Sequence, residues 1–353
     1  MKHPVPGLTR RAFLGQIAVG GLAAIASAAP GRLRAMAASK PDSLIRGVQI
    51  GTITYSFRSM RDQSDMAVLR YCVDSGISAI ELMGDPAESF AGLAPDPNAA
   101  RYRQIVQRNF NPAAPPLTAA EEKEKEQLIA ARATYLRQVA EWRAKAPLDR
   151  FVALKRLYND AGVTIYGFKP SAFEATNTDA EIDFGLRAAH ALGASHVTVE
   201  LPDSIAQAAR LGAAAAKHGL KVGYHQHLQA TPTLWDAALA VSPANAINLD
   251  LGHFTAAGDF DAIAFIRKYH DRIVSMHLKD RRTKANGQAN LPWGEGNTPI
   301  TAALQLMRDE HYRFPATIEL EYPVPAGSDA VAEVRKCLDF CRRSLEGNDS
   351  RGA

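Results

Sequence analysis

Histidine and carboxylate side chains recur at the ends of apolar runs in the second half of this sequence. A short example is VGYHQHLQ, residues 222–229, in which His225 and His227 are two positions apart. Side chains at i and i+2 of a β-strand lie on one face, so both imidazoles are expected to point the same way. Two interpretations are open for this pair: ligands of a metal ion, or hydrogen-bonded histidines at a strand end.

Four other apolar runs also end in groups that bind metals or transfer protons. These groups are Glu200 in VTVE, Asp250 and His253 in NLDLGH, His277, Lys279 and Asp280 in MHLKD, and Glu319 and Glu321 in TIELE. Carboxylates and imidazoles gathered around a cavity suit a divalent ion such as Mn²⁺, Zn²⁺, Mg²⁺ or Co²⁺. The sequence has no CxxC pair, Walker A loop or GxSxG elbow that would indicate another chemistry.

The elements that must position these groups are eight β-rich runs that alternate with helix-like segments. The runs span residues 47–57, 78–84, 163–169, 195–202, 220–227, 245–253, 272–280 and 315–323. Eight such units predict a single-domain α/β fold, a (β/α)8 TIM barrel, in which active sites lie at the carboxyl ends of the strands. A doubly wound open sheet is the alternative, but its glycine-rich phosphate-binding fingerprint is missing.

Residues 86–148 interrupt this alternation after the second strand. A loop rich in proline and asparagine is followed by a highly charged helical run whose acids and bases alternate, which is typical of a solvated helix face. We therefore predict a barrel over residues 47–345 with a helical insertion at 86–148. The loop that begins the insertion could cap the barrel mouth or contact a partner chain, so a homo-oligomer is compatible with the sequence.

The N-terminal residues 1–38 resemble a twin-arginine export signal. Thr9, Arg10 and Arg11 are followed by Phe13 and Leu14, and then by a Gly/Ala-rich apolar stretch. That stretch is too short and too rich in glycine for a membrane-spanning helix. We expect a periplasmic or secreted protein that has no stable membrane anchor once the signal is cleaved.

Charge and cysteine usage narrow the class of protein further. The whole chain carries a formal charge of +4, but residues 1–38 hold five basic side chains and no acidic one, which leaves −1 for the remainder. This balance gives no support for a nucleic-acid partner. Cys72, Cys337 and Cys341 are predicted to be buried or inert thiols, since the last two are four apart in a predicted helix, where bridging is unfavourable.

The segments YHQH, NLDLGH, MHLKD and TIELE, in this order, resemble the xylose isomerase-like sugar isomerase/epimerase superfamily of (β/α)8 barrels. That superfamily also contains inosose dehydratases and endonuclease IV-type DNA-repair enzymes. The resemblance covers residues 47–345 apart from the insertion. The segment LPWGEGNTPI, residues 291–300, also resembles a GEG loop of this group.

The resemblance implies a single divalent metal ion, with Mn²⁺ preferred and Zn²⁺, Mg²⁺ or Co²⁺ as alternatives. Ketose 3-epimerases of the group hold it with Glu, Asp, His and Glu from strands 5 to 8, and the matching positions here are His225, Asp250, His277 and Glu319. Glu319 would also take part in proton transfer. Histidine replaces the strand 5 glutamate, so we expect Glu200 to supply the missing carboxylate, as a ligand or as a catalytic base.

Further groups are expected around a small carbohydrate substrate. By the resemblance, His253 matches the substrate-contacting histidine of the family. By their positions at strand ends, Lys279 and Lys169 are expected to contact the substrate from the mouth. His227 is expected to face a substrate hydroxyl and to take part in catalysis. Trp293 would form a lid or an apolar wall for a sugar face, or would pack on the barrel rim.

Two hypotheses about the reaction follow. The first is a metal-dependent sugar isomerase or epimerase that removes a proton next to a carbonyl and forms an enediolate. The second is a lyase or dehydratase that eliminates a β-substituent from a 3-keto sugar or 3-keto-glycoside. An endonuclease is disfavoured because strands 2 and 3 supply no histidines, and a non-catalytic sugar-binding barrel is a further alternative.

Overall fold

The computed structural model describes residues 40–106 and 115–347, and the predicted export signal lies outside these residues. Eight parallel strands close into a barrel, and short antiparallel pairings flank it. The strands in chain order are β1 (Leu44–Ile45), β2 (Val48–Ile53), β3 (Ala79–Met83), β4 (Thr164–Lys169), β5 (His196–Glu200), β6 (Lys221–His225), β7 (Asn245–Asp250), β8 (Ile273–Leu278), β9 (Asp280–Arg281), β10 (Asn290–Leu291) and β11 (Ala316–Ile318).

The barrel strands are ordered β2–β11–β8–β7–β6–β5–β4–β3, and a further pairing of β2 with β3 closes the ring. This closure confirms the predicted (β/α)8 barrel and rules out the open doubly wound sheet. The strands are shorter than the predicted runs because most runs also included residues that follow the strand. The clearest case is β11, which ends at Ile318, so Glu319 and Glu321 both follow the strand.

Helices cover the outside of the barrel and occupy the predicted insertion. They are α1 (Asp65–Ser75), α2 (Gly84–Phe90), α3 (Ala99–Ile105), α4 (Ala119–Arg143), α5 (Leu148–Asp160), α6 (Asp179–Leu192), α7 (Ile205–Lys217), α8 (Asp236–Val241), α9 (Leu251–Ala257), α10 (Ala262–Tyr269), α11 (Ile300–Asp309) and α12 (Ala330–Glu346). In the part of the chain that the structure describes, none of the helices has both the length and the apolar character for a membrane crossing.

Local sequence signals explain where these helices begin and end. Helix α6 begins with a capping box between Thr178 and Glu181 and ends at Gly193, whose φ of 79° is a left-handed conformation that glycine adopts without strain. Helices α1 and α12 contribute the three cysteines, which are buried and free, as predicted.

The long charged helix α4 is held by one buried ion-pair cluster at its C-terminal end. The Arg143 guanidinium lies 3.0 Å from Glu88 Oε1 on α2 and 3.2 Å from Glu181 Oε1 on α6. Only 3% of the Arg143 side chain is exposed. Removing one partner of such a buried cluster leaves an uncompensated charge, so Arg143 fixes the insertion helix to the barrel helices.

A register shift between β7 and β8 aligns the polar side chains of the barrel interior. Ile247 pairs with Ile273, but the next residue, Asn248, pairs with Ser275, so β8 contains one extra residue. A slip of one residue reverses which side chains face the interior. The shift therefore places Ser275 beside Asn248 and, two residues further on, His277 beside Asp250.

Candidate metal centre

Four buried side chains converge at the carboxyl ends of neighbouring barrel strands. His225 ends β6, Asp250 ends β7, His277 lies in β8, and Glu319 directly follows β11. One ligand atom from each lies within 4.8 Å of the others. They are the four residues that the sequence predicted as ligands, and the strand order brings them together because β6, β7, β8 and β11 are consecutive in the ring.

His277 is held between two carboxylates. Its Nε2 lies 2.9 Å from Glu81 Oε2, and its Nδ1 lies 3.0 Å from Glu319 Oε2. Burial alone would lower the pKa of His277, but the two carboxylates outweigh burial and raise it to about 10. Glu81 thus orients the imidazole through Nε2, as outer carboxylates commonly do for metal-bound histidines, and leaves Nδ1 directed at the ligand group.

Sequence reasoning missed Glu81. It lies in the strand β3 segment AIELM, is fully buried, and also accepts a hydrogen bond of 2.6 Å from Thr198 Oγ1. One feature of the sequence could have identified it: Glu81 is an acidic residue in an otherwise apolar strand, AIELM, and has no charged residue beside it in that strand. Such a residue must be paired when it is buried, and its partner lies on β8, which is distant in the sequence.

The Lys279 ammonium forms ion pairs with three carboxylates at the ligand group. Its Nζ lies 2.9 Å from Asp250 Oδ2, 2.9 Å from Glu319 Oε2 and 2.8 Å from Glu321 Oε2. Burial would raise the pKa of Glu319, but Lys279 and His277 hold it well below its ordinary value. Lys279, predicted to contact substrate, is therefore almost fully buried among carboxylates.

Asp250 shows that the residues present fit a metal ion. Its Oδ1 accepts a hydrogen bond from the His253 amide, but Oδ2, although 2.9 Å from Lys279 Nζ, accepts no hydrogen bond of normal geometry among the described residues. Burial raises the pKa of this carboxyl to about 7. An orphaned buried carboxylate oxygen beside two imidazoles is a donor set that suits a divalent cation.

Glu200, His227 and Lys169 lie at the solvent-exposed edge of the mouth. Glu200 accepts a hydrogen bond of 2.8 Å from Lys169 Nζ, and its other oxygen lies 3.7 Å from His227 Nε2. The side chains of His227 and Glu200 are 55% and 47% exposed. Glu200 and His227 form a second group of potential ligand atoms with His225, again within 4.8 Å, and Glu200 is outside the group of four.

The expectation that His225 and His227 share one strand face is wrong. Strand β6 ends at His225, so the alternation of a strand does not extend to His227. His225 is buried, whereas His227 is exposed. The two rings nevertheless stay close, with centroids 5.0 Å apart.

His253 is fixed by an arginine that sequence reasoning did not identify. Arg281 Nη1 donates a hydrogen bond of 2.8 Å to His253 Nδ1, and the same guanidinium donates to the Gln288 carbonyl. Burial, together with the Lys279 and Arg281 charges, lowers the pKa of His253 far below its ordinary value. The neutral ring therefore carries its proton on Nε2, which lies 4.0 Å from Glu321 Oε2.

The loop that carries Trp293 is organised by Asp280. This carboxylate accepts backbone hydrogen bonds from Gly294, Gly296 and Thr298 at 2.8, 2.9 and 3.1 Å. Trp293 packs edge-on against Phe340 of α12, with ring centroids 5.7 Å apart. Its indole nitrogen is buried and has no partner in the described part of the chain. Trp293 is thus half-buried on the loop, in contact with α12.

The chain belongs to the xylose isomerase-like TIM barrel family, whose model matches residues 69–343. Among curated proteins, an inosose dehydratase of Clostridium perfringens is 28% identical in an alignment of 134 residues that covers 32% of this chain and 44% of that protein. An inosose dehydratase of Lactiplantibacillus plantarum is 39% identical over 79 residues, 21% of this chain and 26% of that protein. The chain thus matches less than half the length of these relatives.

Solved structures show the same fold at low sequence identity. A probable 3-DHS dehydratase of Bacillus anthracis is 14% identical, with a TM-score of 0.54 over 83% of this chain and 98% of the other. The 3-keto-D-glucoside 4-epimerase of E. coli is 13% identical, with a TM-score of 0.52 over 84% and 99% of the two chains. These similarities concern the barrel and not the reaction.

Replacing Asp250 with asparagine tests the group of four. Asp250→Asn keeps the side-chain volume and the cap on α9, but it removes the anionic ligand, so divalent-ion affinity should fall at least about 100-fold. Metal content after dialysis and Mn²⁺ titration measure the loss. Asp309→Asn, an exposed aspartate on α11, is the matched control and should bind like wild type. Stoichiometric metal in purified Asp250→Asn would contradict the assignment.

Proposed function

We propose that this protein is a metal-dependent sugar isomerase or epimerase that removes a proton from the carbon next to a carbonyl group. The observation that carries the proposal is a pair of carboxylates outside the group of four, Glu200 and Glu321, which belong to strands at opposite positions of the barrel ring. Glu200 ends β5 and Glu321 follows β11, and these strands are four places apart in a ring of eight. The strands between them carry His225, Asp250 and His277.

Opposed acid–base groups are what inversion at a carbon requires. One group removes a proton from one face, and the other returns a proton to the opposite face. Return of the proton to the adjacent carbon instead gives aldose–ketose isomerisation. We propose that Glu321, which is half-buried, transfers the proton on the second side, and that buried Glu319 acts as a ligand.

The ion would be held by His225, Asp250, His277 and Glu319, with Mn²⁺ preferred. When bound, a divalent ion polarises a sugar carbonyl and offsets the negative charge of the enediolate. Glu200 acts as the base, and its carboxylate accepts a hydrogen bond of 2.8 Å from Lys169 Nζ. His227, which is exposed beside Glu200, is placed to bind a substrate hydroxyl.

On the side of Glu321, the protein's own donors would form hydrogen bonds to substrate oxygens. His253 presents its Nε2 proton because Arg281 occupies Nδ1, and the Lys279 ammonium lies beside Glu321. Both positions are largely buried, so their hydrogen bonds act in a medium of low dielectric constant, where they stabilise a developing oxyanion more than they would in water. Trp293 would pack against an apolar sugar face.

The substrate class and location follow from the same proposal. The twin-arginine motif at Arg10 and Arg11 favours export to the periplasm, where free sugars and glycosides are more available than sugar phosphates. We therefore propose an unphosphorylated keto sugar or keto-glycoside as substrate.

A lyase acting on a 3-keto sugar or 3-keto-glycoside is the second candidate. Three curated relatives that match this chain are named inosose dehydratases. Elimination begins with the same proton removal, and it then needs only an acid for the leaving group. His225 ends β6, the fifth strand of the barrel, where the epimerases have a glutamate. This replacement also favours the lyase, because it alters the two-glutamate proton shuttle of the epimerases.

Turnover in D₂O separates these candidates. Metal-loaded protein is incubated with a panel of keto sugars and 3-keto-glycosides, and products are analysed by NMR and mass spectrometry. An isomerase or epimerase should incorporate deuterium at the carbon next to the carbonyl or at the former carbonyl carbon. A lyase should release the β-substituent and leave an unsaturated product. Binding of sugars without deuterium exchange or product would contradict both and favour a binding protein.

Glu200→Gln tests the proposed base. The substitution keeps the volume but removes the basic group, so turnover should fall by about 10²- to 10⁴-fold while bound metal is unchanged. Steady-state kinetics and metal content are measured together. Glu310→Gln, an exposed ion-paired glutamate on the outer surface, is the control. Unchanged turnover would show that Glu200 is structural, and loss of the metal would make it a ligand.

A further inference from the structure

We infer that Asn248 is a positioning residue that sets the tautomer of His225 and thereby leaves the Nε2 lone pair of His225 for the metal ion. The inference rests on the metal site of the proposed function and adds a residue to it. Asn248 lies on β7 and pairs in register with His225 on β6 and with Ser275 on β8. All three side chains are buried.

A chain of hydrogen bonds leads to His225 from a backbone carbonyl, which can only accept. Ser195 Oγ donates to the Tyr166 carbonyl over 3.1 Å. Since its single proton is used there, Ser195 Oγ accepts from His196 Nδ1, which lies 2.9 Å away. His196 therefore carries its proton on Nδ1 and has a lone pair on Nε2.

The same donor–acceptor order continues across the barrel interior. His196 Nε2 lies 3.2 Å from Ser275 Oγ, so the serine hydroxyl donates to it. Ser275 Oγ then accepts a hydrogen bond of 2.6 Å from Asn248 Nδ2. This orients the amide so that Asn248 Oδ1 faces His225 Nδ1 at 2.6 Å. An amide oxygen can only accept, so the proton of His225 is on Nδ1.

A histidine binds a metal ion as the neutral imidazole, which has one proton to place. The hydrogen bonds of Asn248 put that proton on His225 Nδ1. The free nitrogen of His225, Nε2, lies 3.9 Å from Asp250 Oδ2, the orphaned oxygen of the ligand group. The nitrogen that the chain leaves without a proton is thus the one that faces the other ligands.

The reverse order of donors would disable the site. If Ser275 donated to Asn248 instead, the amide of Asn248 would be turned round and would present Nδ2 to His225. The proton of His225 would then lie on Nε2, where no lone pair remains for a metal. A glutamate has no tautomer, so a histidine at this position on β6 creates the need for a neighbour such as Asn248.

The chain depends on two backbone features that place its members side by side. The register shift on β8 brings Ser275 next to Asn248. Gly167 on β4 leaves room for His196, because a Cβ atom there would lie 2.9 Å from His196 Nε2. Together, the register shift and Gly167 allow His196, Ser275 and Asn248 to contact one another in the barrel interior.

The test uses the full chain, metal-free and labelled with ¹⁵N-histidine, and NMR to determine which ring nitrogens carry protons. Wild type should have Nδ1–H at both His225 and His196. In Asn248→Asp, the carboxylate still accepts from His225 but now also accepts from Ser275. His225 should keep its tautomer, whereas His196 should shift its proton to Nε2. A purely structural role for Asn248 predicts no such shift.

Zn²⁺ and Mn²⁺ affinity, measured without substrate, provides the second readout. Asn248→Leu should weaken binding by about 10- to 100-fold, as loss of an outer partner of a ligating histidine typically does, and Asn248→Asp should restore it. Ser275→Ala removes the hydroxyl that orients the Asn248 amide. Metal-free His225 should then populate both tautomers. Thr52→Val, which removes a buried hydroxyl that donates to the Ile318 carbonyl, is the matched control and should bind like wild type.

The outcomes that overturn the inference differ from those that overturn the proposed function. A wild-type His225 with its proton on Nε2, or Asn248→Leu that binds metal as tightly as Thr52→Val, contradicts the role of Asn248. A wild-type protein that binds no divalent ion contradicts the proposed function, and the tautomer measured in metal-free protein then decides the role of Asn248 by itself.

Discussion

Uncompensated negative charge in the barrel mouth is the constraint on which the rest of the site depends. Glu81, Asp250 and Glu319 are all buried within one cluster, and Glu321 approaches it from the rim. Isolated buried carboxylates are too costly to remain ionised. His277 and Lys279 therefore lie among them, and Asp250 Oδ2, although paired with Lys279 at 2.9 Å, accepts no hydrogen bond of normal geometry from the described residues. A further positive species, such as a divalent cation, complements this arrangement.

The two candidate metal-binding histidines are held in complementary ways. Glu81 engages His277 at Nε2 and leaves Nδ1 toward the ligands, whereas Asn248 engages His225 at Nδ1 and leaves Nε2. Each outer partner lies on a different strand from its histidine, so the arrangement of strands in the barrel holds the ligands in place. The site therefore depends on the whole fold and not on one local segment.

Local patterns in the sequence predicted the barrel, the order of its strands and the residues that gather at its mouth. They did so because side chains at the carboxyl ends of parallel barrel strands must meet. Glu81 could not be predicted in the same way, because its partner His277 lies on a strand distant in the sequence. The role of Asn248 depends on the strand register that places it beside His225 and Ser275. The extra residue in β8 was also invisible, since neither Val274 nor Ser275 differs from an ordinary strand residue. His227 was expected to share the strand face of His225 because the end of β6 was placed too late.

The central claim is that His225, Asp250, His277 and Glu319 bind one divalent ion together. Anomalous diffraction from crystals grown with Mn²⁺ tests it most directly. The claim predicts a single anomalous peak at about 2.0–2.2 Å from His225 Nε2, His277 Nδ1 and an oxygen of each carboxylate, with Lys279 retained by Glu321. A peak centred on Glu200 and His227, or no peak while Lys279 stays between Asp250 and Glu319, would contradict it.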